Sequence, residues 1–145
     1  MTHDMKHFIF ISALCIVAAV VLAGCCRCRQ KSRTSASLTG NTWQLVKLMG
    51  EDVDASDDSY TLMFTDDGRI AGKGSCNRLT GGYTVTADGK IEMAYPGSTR
   101  MMCPDLEREN LYFRVVSDAA AYEIDGDTLM LLKDGEAQAV FTLKR

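Results

Sequence analysis

Most of the chemistry open to this 145-residue chain lies in its cysteines: Cys15, Cys25, Cys26, Cys28, Cys76 and Cys103. Cys25 closes the run Leu22-Ala23-Gly24-Cys25, a small-residue pair directly ahead of a cysteine. That run reads as the lipobox of a bacterial signal peptide. Cleavage before Cys25 and joining of its thiol to a diacylglyceryl group are expected, with further acylation of the palmitate type. Cys15 then falls in the discarded peptide. Cys26, Cys28, Cys76 and Cys103 remain, and four cysteines allow three pairings. The envelope is oxidising, so pairing is expected there. Cys76 with Cys103 is favoured, because both lie inside the expected folded domain. Closing that loop contributes about 3–4 kcal/mol in the chain-entropy model. Cys25-Cys26-Arg27-Cys28 holds a C-x-x-C spacing, but a thioether at Cys25 removes its metal or redox use.

Histidine narrows the chemistry further. His3 and His7 both precede Cys25, so the mature chain has none. Ser-His-Asp and Cys-His catalysis and histidine metal sites are thereby excluded, and the usual general base at neutral pH is absent. Two enzymatic readings stay open. One is thiol–disulfide activity at Cys76 and Cys103, although their wide separation suits a structural bridge better. The other is a Ser75 nucleophile beside Lys73. The expectation is a non-enzymatic protein with no cofactor and no metal.

The segment ahead of Cys25 has the parts of a signal peptide: Lys6, an apolar run from Phe8, and small residues at the end. The competing reading is a membrane-spanning helix, which needs about 20 apolar residues. Phe8 to Gly24 gives 17. The expected organisation is a signal peptide over 1–24, a lipidated cysteine with a flexible basic tether over 25–37, and one domain over 38–145. Cys26, rather than an aspartate, follows Cys25. In a bacterium with two membranes, that favours the outer membrane, facing the periplasm.

Charge divides along the same boundary. Arg27, Arg29, Lys31 and Arg33 make the tether basic, whereas Leu38 onward carries 11 Lys/Arg against 18 Asp/Glu. An acidic domain lacks the basic footprint of a nucleic-acid binder. The tether suits anionic headgroups, or it is a solvated spacer. Expected partners are the membrane, through the anchor, and either an apolar ligand or an envelope protein. The domain is expected to be a monomer.

Short alternating runs separated by Asp-Gly turns dominate the domain, the pattern of antiparallel hairpins. Strands are expected at Thr42–Leu48, Tyr60–Thr65, Arg69–Lys73, Tyr83–Thr86, Lys90–Ala94, Tyr122–Ile124, Thr128–Leu132 and Ala137–Leu143. Trp43, Leu45 and Leu48 are core candidates. Glu51–Ser59 reads as an acidic loop. Pro104–Ala121 predicts the single helix, with Leu106, Phe113, Val116 and Ala120 on one face, flanked by Tyr112 and Ala119. The class is β-rich α+β: about eight short antiparallel strands in a curved sheet or incomplete barrel, with one amphipathic helix at about 104–121.

Several motifs align with a known family. They are Gly40-Asn41-Thr42-Trp43-Gln44-Leu45, the stretch Gly72-Lys73-Gly74-Ser75-Cys76-Asn77-Arg78, Ser98 to Pro104, and the closing Tyr122 to Leu129. Together they resemble the META domain family, which includes heat-shock lipoproteins of the HslJ type. The resemblance spans Leu38 to Arg145 and departs from the family's Gly-Cys-Asn only at Ser75. It implies a small envelope domain without an assigned molecular activity, associated with stress tolerance. It also implies a Cys76–Cys103 disulfide and a fold likened to a secretion pilotin able to hold an acyl chain.

Binding candidates sit around these motifs: Asn77, Arg78, Arg100, Met101 and Met102. For Asn77 the alternative is a structural turn hydrogen bond. Gly72, Gly74, Gly81 and Gly82 suggest a phosphate-cradling loop but lack Walker spacing, so bends and turns are favoured. Asp52, Asp54, Asp57 and Asp58 lack the glycine and terminal glutamate of a calcium loop. Met63, Met93, Met101, Met102 and Met130 suggest an adaptable apolar cavity or ordinary core filling.

Overall fold

Asp-Gly pairs recur because each supplies the left-handed residue a tight hairpin needs. Gly68, Gly89, Gly126 and Gly135 all adopt positive φ at such tips. The computed structural model of the protein describes residues 35–54 and 58–145. The signal segment, Cys25, Cys26, Cys28, the basic run and Asp57 lie outside the described residues. Among the described residues the elements are β1 (Thr42–Leu48), β2 (Glu51–Asp52), β3 (Thr61–Phe64), β4 (Arg69–Lys73), β5 (Arg78–Val85), β6 (Ile91–Ser98), α1 (Leu106–Ser117), β7 (Ala121–Asp125), β8 (Thr128–Lys133) and β9 (Glu136–Leu143).

The strands form one antiparallel sheet in the order β6-β5-β4-β3-β1-β9-β8-β7, with β2 paired to β1. Its two edge strands approach each other. A bridge joins Lys90 to Ala121, the Ile91 N–H donates to the Ala120 carbonyl at 3.1 Å, and the Tyr122 N–H donates to the Gly89 carbonyl at 2.9 Å. The result is a nearly closed barrel. The helix α1 joins these two edge strands and lays Tyr112 and Val116, both fully buried, into the core. Trp43, Leu45, Leu62, Leu129, Leu131 and Phe141 complete that core without exposure. The fold class is the one the hairpin pattern implies.

A bulge explains the loose alternation of β1. The register with β9 shifts between Leu45 and Lys47, so Leu45 and Leu48, three residues apart, both face inward. A similar shift lies between Thr80 and Gly82 in β5. A Cβ added at Gly81 would lie 3.1 Å from the Pro96 backbone.

The register also sorts the connections between two ends of the barrel. One end holds the β3–β4, β5–β6 and β7–β8 turns. The chain enters there: the Ala36 N–H donates to the Gly126 carbonyl at 2.9 Å, and the Gly40 N–H to the Phe64 carbonyl at 3.1 Å. The other end holds the β4–β5 loop, the β6–α1 loop and the β8–β9 turn.

Four expectations are corrected. The helix is shorter than 104–121, because Pro104 and Asp105 form a turn before it and Asp118 ends it. Ala120, placed on its apolar face, is exposed beyond its end. The acidic loop begins with a ninth strand, β2, held by Lys47 opposite Asp52. None of the five methionines is fully buried: Met93 packs half-buried against the core, whereas Met63, Met101 and Met102 are exposed.

Candidate functional site

Two loops and one helix converge at the second end of the barrel. Ser75, Cys76 and Asn77 link β4 to β5, and residues 99–105 link β6 to α1. Two covalent and polar ties hold these loops together. Cys76 is disulfide-bonded to Cys103, with Cα atoms 6.4 Å apart. The second tie is Glu109, a carboxylate 1% exposed in the middle of α1.

Glu109 is held by neutral donors. Its Oε1 accepts hydrogen bonds from the Cys76 N–H at 2.9 Å, the Asn77 N–H at 2.7 Å and the Ser75 hydroxyl at 3.2 Å. Its Oε2 accepts from Asn77 Nδ2 at 2.6 Å. Consecutive N–H groups aimed at one oxygen form an anion nest. Burial pushes the Glu109 carboxyl upward, but the donors from Asn77, Cys76 and Ser75 outweigh it and hold the group below its ordinary range. The glycine-rich stretch therefore does cradle an anion, and that anion is the domain's own side chain. Gly74 makes this possible. A Cβ there would sit 2.4 Å from Glu109 Oε1, a distance no real side chain tolerates.

Asn77, also 1% exposed, carries the contact across to the other loop. Its Oδ1 accepts from the Met101 N–H at 2.7 Å and the Thr99 hydroxyl at 2.9 Å, and its Nδ2 also donates to the Met101 carbonyl at 3.0 Å. Arg78 joins through its backbone: its N–H donates to Thr99 Oγ1 at 3.0 Å, and its carbonyl accepts from the Thr99 N–H at 3.0 Å.

Tyr60 ties the start of β3 to the same region. It adopts φ +55°, rare for a bulky residue. Backbone bonds to Leu45 and Gly74 hold it there. Its hydroxyl donates to the Asp105 carboxylate. Burial and that neighbouring carboxylate push the phenol upward, so it stays protonated.

The structure thus brings Cys76, Asn77, Cys103 and the Met101 backbone together, with their polar groups turned inward. The side chains of Arg78, Arg100, Met101 and Met102 are exposed instead, Met102 at 90%. Between residues 98–102 and α1 runs an open groove of about 390 Å³, with Leu106, Asn110 and Phe113 along its helical side. Cys76, Cys103 and Glu109 place their donor atoms within 4.8 Å of one another. The sulfurs are bonded to each other and the carboxylate is filled, so this set as it stands offers no open metal ligand. Of the acidic-loop candidates, Asp52 pairs with Lys47 at 2.7 Å and Asp58 with Lys144.

Glu109 is the residue that sequence reasoning misses. It falls three residues after Leu106 and four before Phe113, on the apolar face of α1. A charge on that face signals a buried partner, and the glycine-rich loop is the partner it finds.

The barrel and the helix α1 have solved counterparts. One is an NMR structure of a protein from Burkholderia xenovorans, 21% identical, with a TM-score of 0.59, covering 74% of this chain and 83% of that one. Another is the crystal structure of a DUF4847 family protein from Bacteroides vulgatus, 14% identical, with a TM-score of 0.54, covering 73% and 92%. These likenesses concern the fold. No curated protein matches the chain. The family model described as META domain matches residues 36–145, which takes in the whole barrel, both tied loops and Glu109. The chain belongs to the META domain family.

Proposed function

We propose that this protein is a lipid-anchored envelope lipoprotein whose META domain works without catalysis, supporting stress tolerance through a protein partner or an apolar ligand. The lipobox at Leu22 to Cys25 carries the anchoring and the location. The geometry at the β4–β5 loop supports the absence of catalysis, because Glu109 and Asn77 direct their polar atoms at the domain itself. A group with its hydrogen-bonding capacity filled serves to hold loops, not to meet a substrate.

Metabolic labelling with an alkyne fatty acid tests the anchor. The expected result is a labelled chain in the membrane fraction, with label lost in Cys25→Ala. An unlabelled chain in the cytosol overturns the reading. Affinity capture of the labelled protein from its own membranes, with protein and lipid identification, then separates the two kinds of partner. The pilotin-like reading, in which the domain binds a lipid or a peptide, has one supporting observation. The groove beside α1 is lined in part by Leu106, Phe113 and two methionines. The barrel interior is filled by Trp43, Tyr112 and Phe141, so such a ligand would lie on the surface.

A further inference from the structure

We propose that Met101 and Met102, with Arg78 and Arg100, form a contact that rests on the anionic membrane surface, a second attachment beside the lipid at Cys25. The proposal builds on the anchored reading above.

Exposed methionines are ordinary when the chain around them is loose. This pair is held out by design of the loop. Thr99 is fastened to the Arg78 backbone, Met101 to Asn77 through both its N–H and its carbonyl, and Cys103 to Cys76. Fixed on both sides, Met102 is 90% exposed and Met101 56%. Arg78 and Arg100 lie exposed on the adjoining strand and loop, and neither forms an ion pair among the described residues. Apolar tips between free cations match the boundary between anionic headgroups and acyl chains.

Local charge selects the face. The end where the chain enters carries Asp66, Asp67, Asp88, Asp125 and Asp127 in its turns, and the other end carries acids as well, among them Glu51, Asp52, Asp105, Asp134 and Glu136. The methionine–arginine loop, rather than the whole end, is the part that matches an anionic surface. Length permits the turn. Nine residues separate Cys25 from Ser35, and that stretch reaches roughly 35 Å when extended. An eight-residue strand such as β6 spans only about 26 Å. The anchor raises the local concentration of the domain at the surface, so a weak contact suffices.

The test uses the full mature chain purified from membranes and reconstituted in vesicles of equal phosphatidylcholine and phosphatidylglycerol. An indole is placed by Met102→Trp, or by Met63→Trp on β3 as a distant exposed control. Phosphatidylcholine brominated near the glycerol end is the quencher. Quenching at position 102 and none at 63 is expected. It should weaken roughly fivefold for each of Arg78→Ala and Arg100→Ala, the effect of one surface cation, and vanish in vesicles of phosphatidylcholine alone. Equal quenching at both positions, or none at 102, overturns the contact. So does crosslinking of position 102 to an envelope protein without quenching. Intact mass reports the acyl group separately. If the chain carries no lipid, the anchored reading fails, and quenching at 102 with added vesicles still decides the contact.

Discussion

The hairpins of this domain and the junction beneath α1 are held in opposite ways. In the β7–β8–β9 meander, neighbours in sequence pair through the two-residue tips Gly126-Asp127 and Asp134-Gly135, and apolar side chains alternate inward. At the junction, residues 74–77 meet residues 99–109 through one disulfide and one buried carboxylate. The first arrangement spreads its stability over many small contacts. The second concentrates it in a few groups, and a change there should cost far more than a change at a hairpin tip.

Glu109→Ala is the sharpest way to break the contrast. It strands two backbone N–H groups and the Asn77 amide inside the protein, and should lower unfolding free energy by about 4 kcal/mol in urea titrations. A loss under about 1 kcal/mol would mean that the nest is not what holds the loops. Cys76→Ser with Cys103→Ser should remove about 3–4 kcal/mol, because the bridge closes a separation of 27 residues.

Gly74→Ala should cost about 2 kcal/mol, as its methyl group must displace the Glu109 carboxylate. Gly135→Ala, in the β8–β9 tip, meets nothing within 4 Å and bears only the strain of φ +81°. A loss of about 1 kcal/mol is expected there. Equal effects at Gly74 and Gly135 would erase the distinction between the two regions.

The pH response gives a smaller test of the same comparison. Glu109 titrates below its ordinary 4.5 in the folded state. Its stabilisation is therefore full above about pH 4.5 and is lost as the pH falls through the folded value. Urea midpoints at pH 7 and pH 3 should differ less in Glu109→Gln than in the parent.

The legibility of the sequence follows the same division. β4 falls at Arg69–Lys73 as the alternation implies, because turn chemistry is written locally. β5 and β6 run longer than expected, to Arg78 and Ser98, since Gly81 and Gly82 read as bends and turns. Pairing across the bulge, where a larger residue than Gly81 would collide, overrides that local preference. The disulfide was readable from the expected compartment and from position in the domain. Glu109 was not, because its partner is a loop more than 30 residues away. The methionines misled for a related reason: composition marks Met102 as apolar, but only the ties on either side of it hold it in water.

The fit between Gly74 and Glu109 also has a genetic meaning. Either position alone tolerates little: a side chain at 74 needs the space the carboxylate occupies, and a missing carboxylate leaves the loop's donors without an acceptor. Changed together, the two need not add, since a shorter acid at 109 vacates the volume a methyl at 74 requires. Glu109→Asp is thus the background in which Gly74→Ala becomes mild. Drift at this junction has to pass through the pair, in that order.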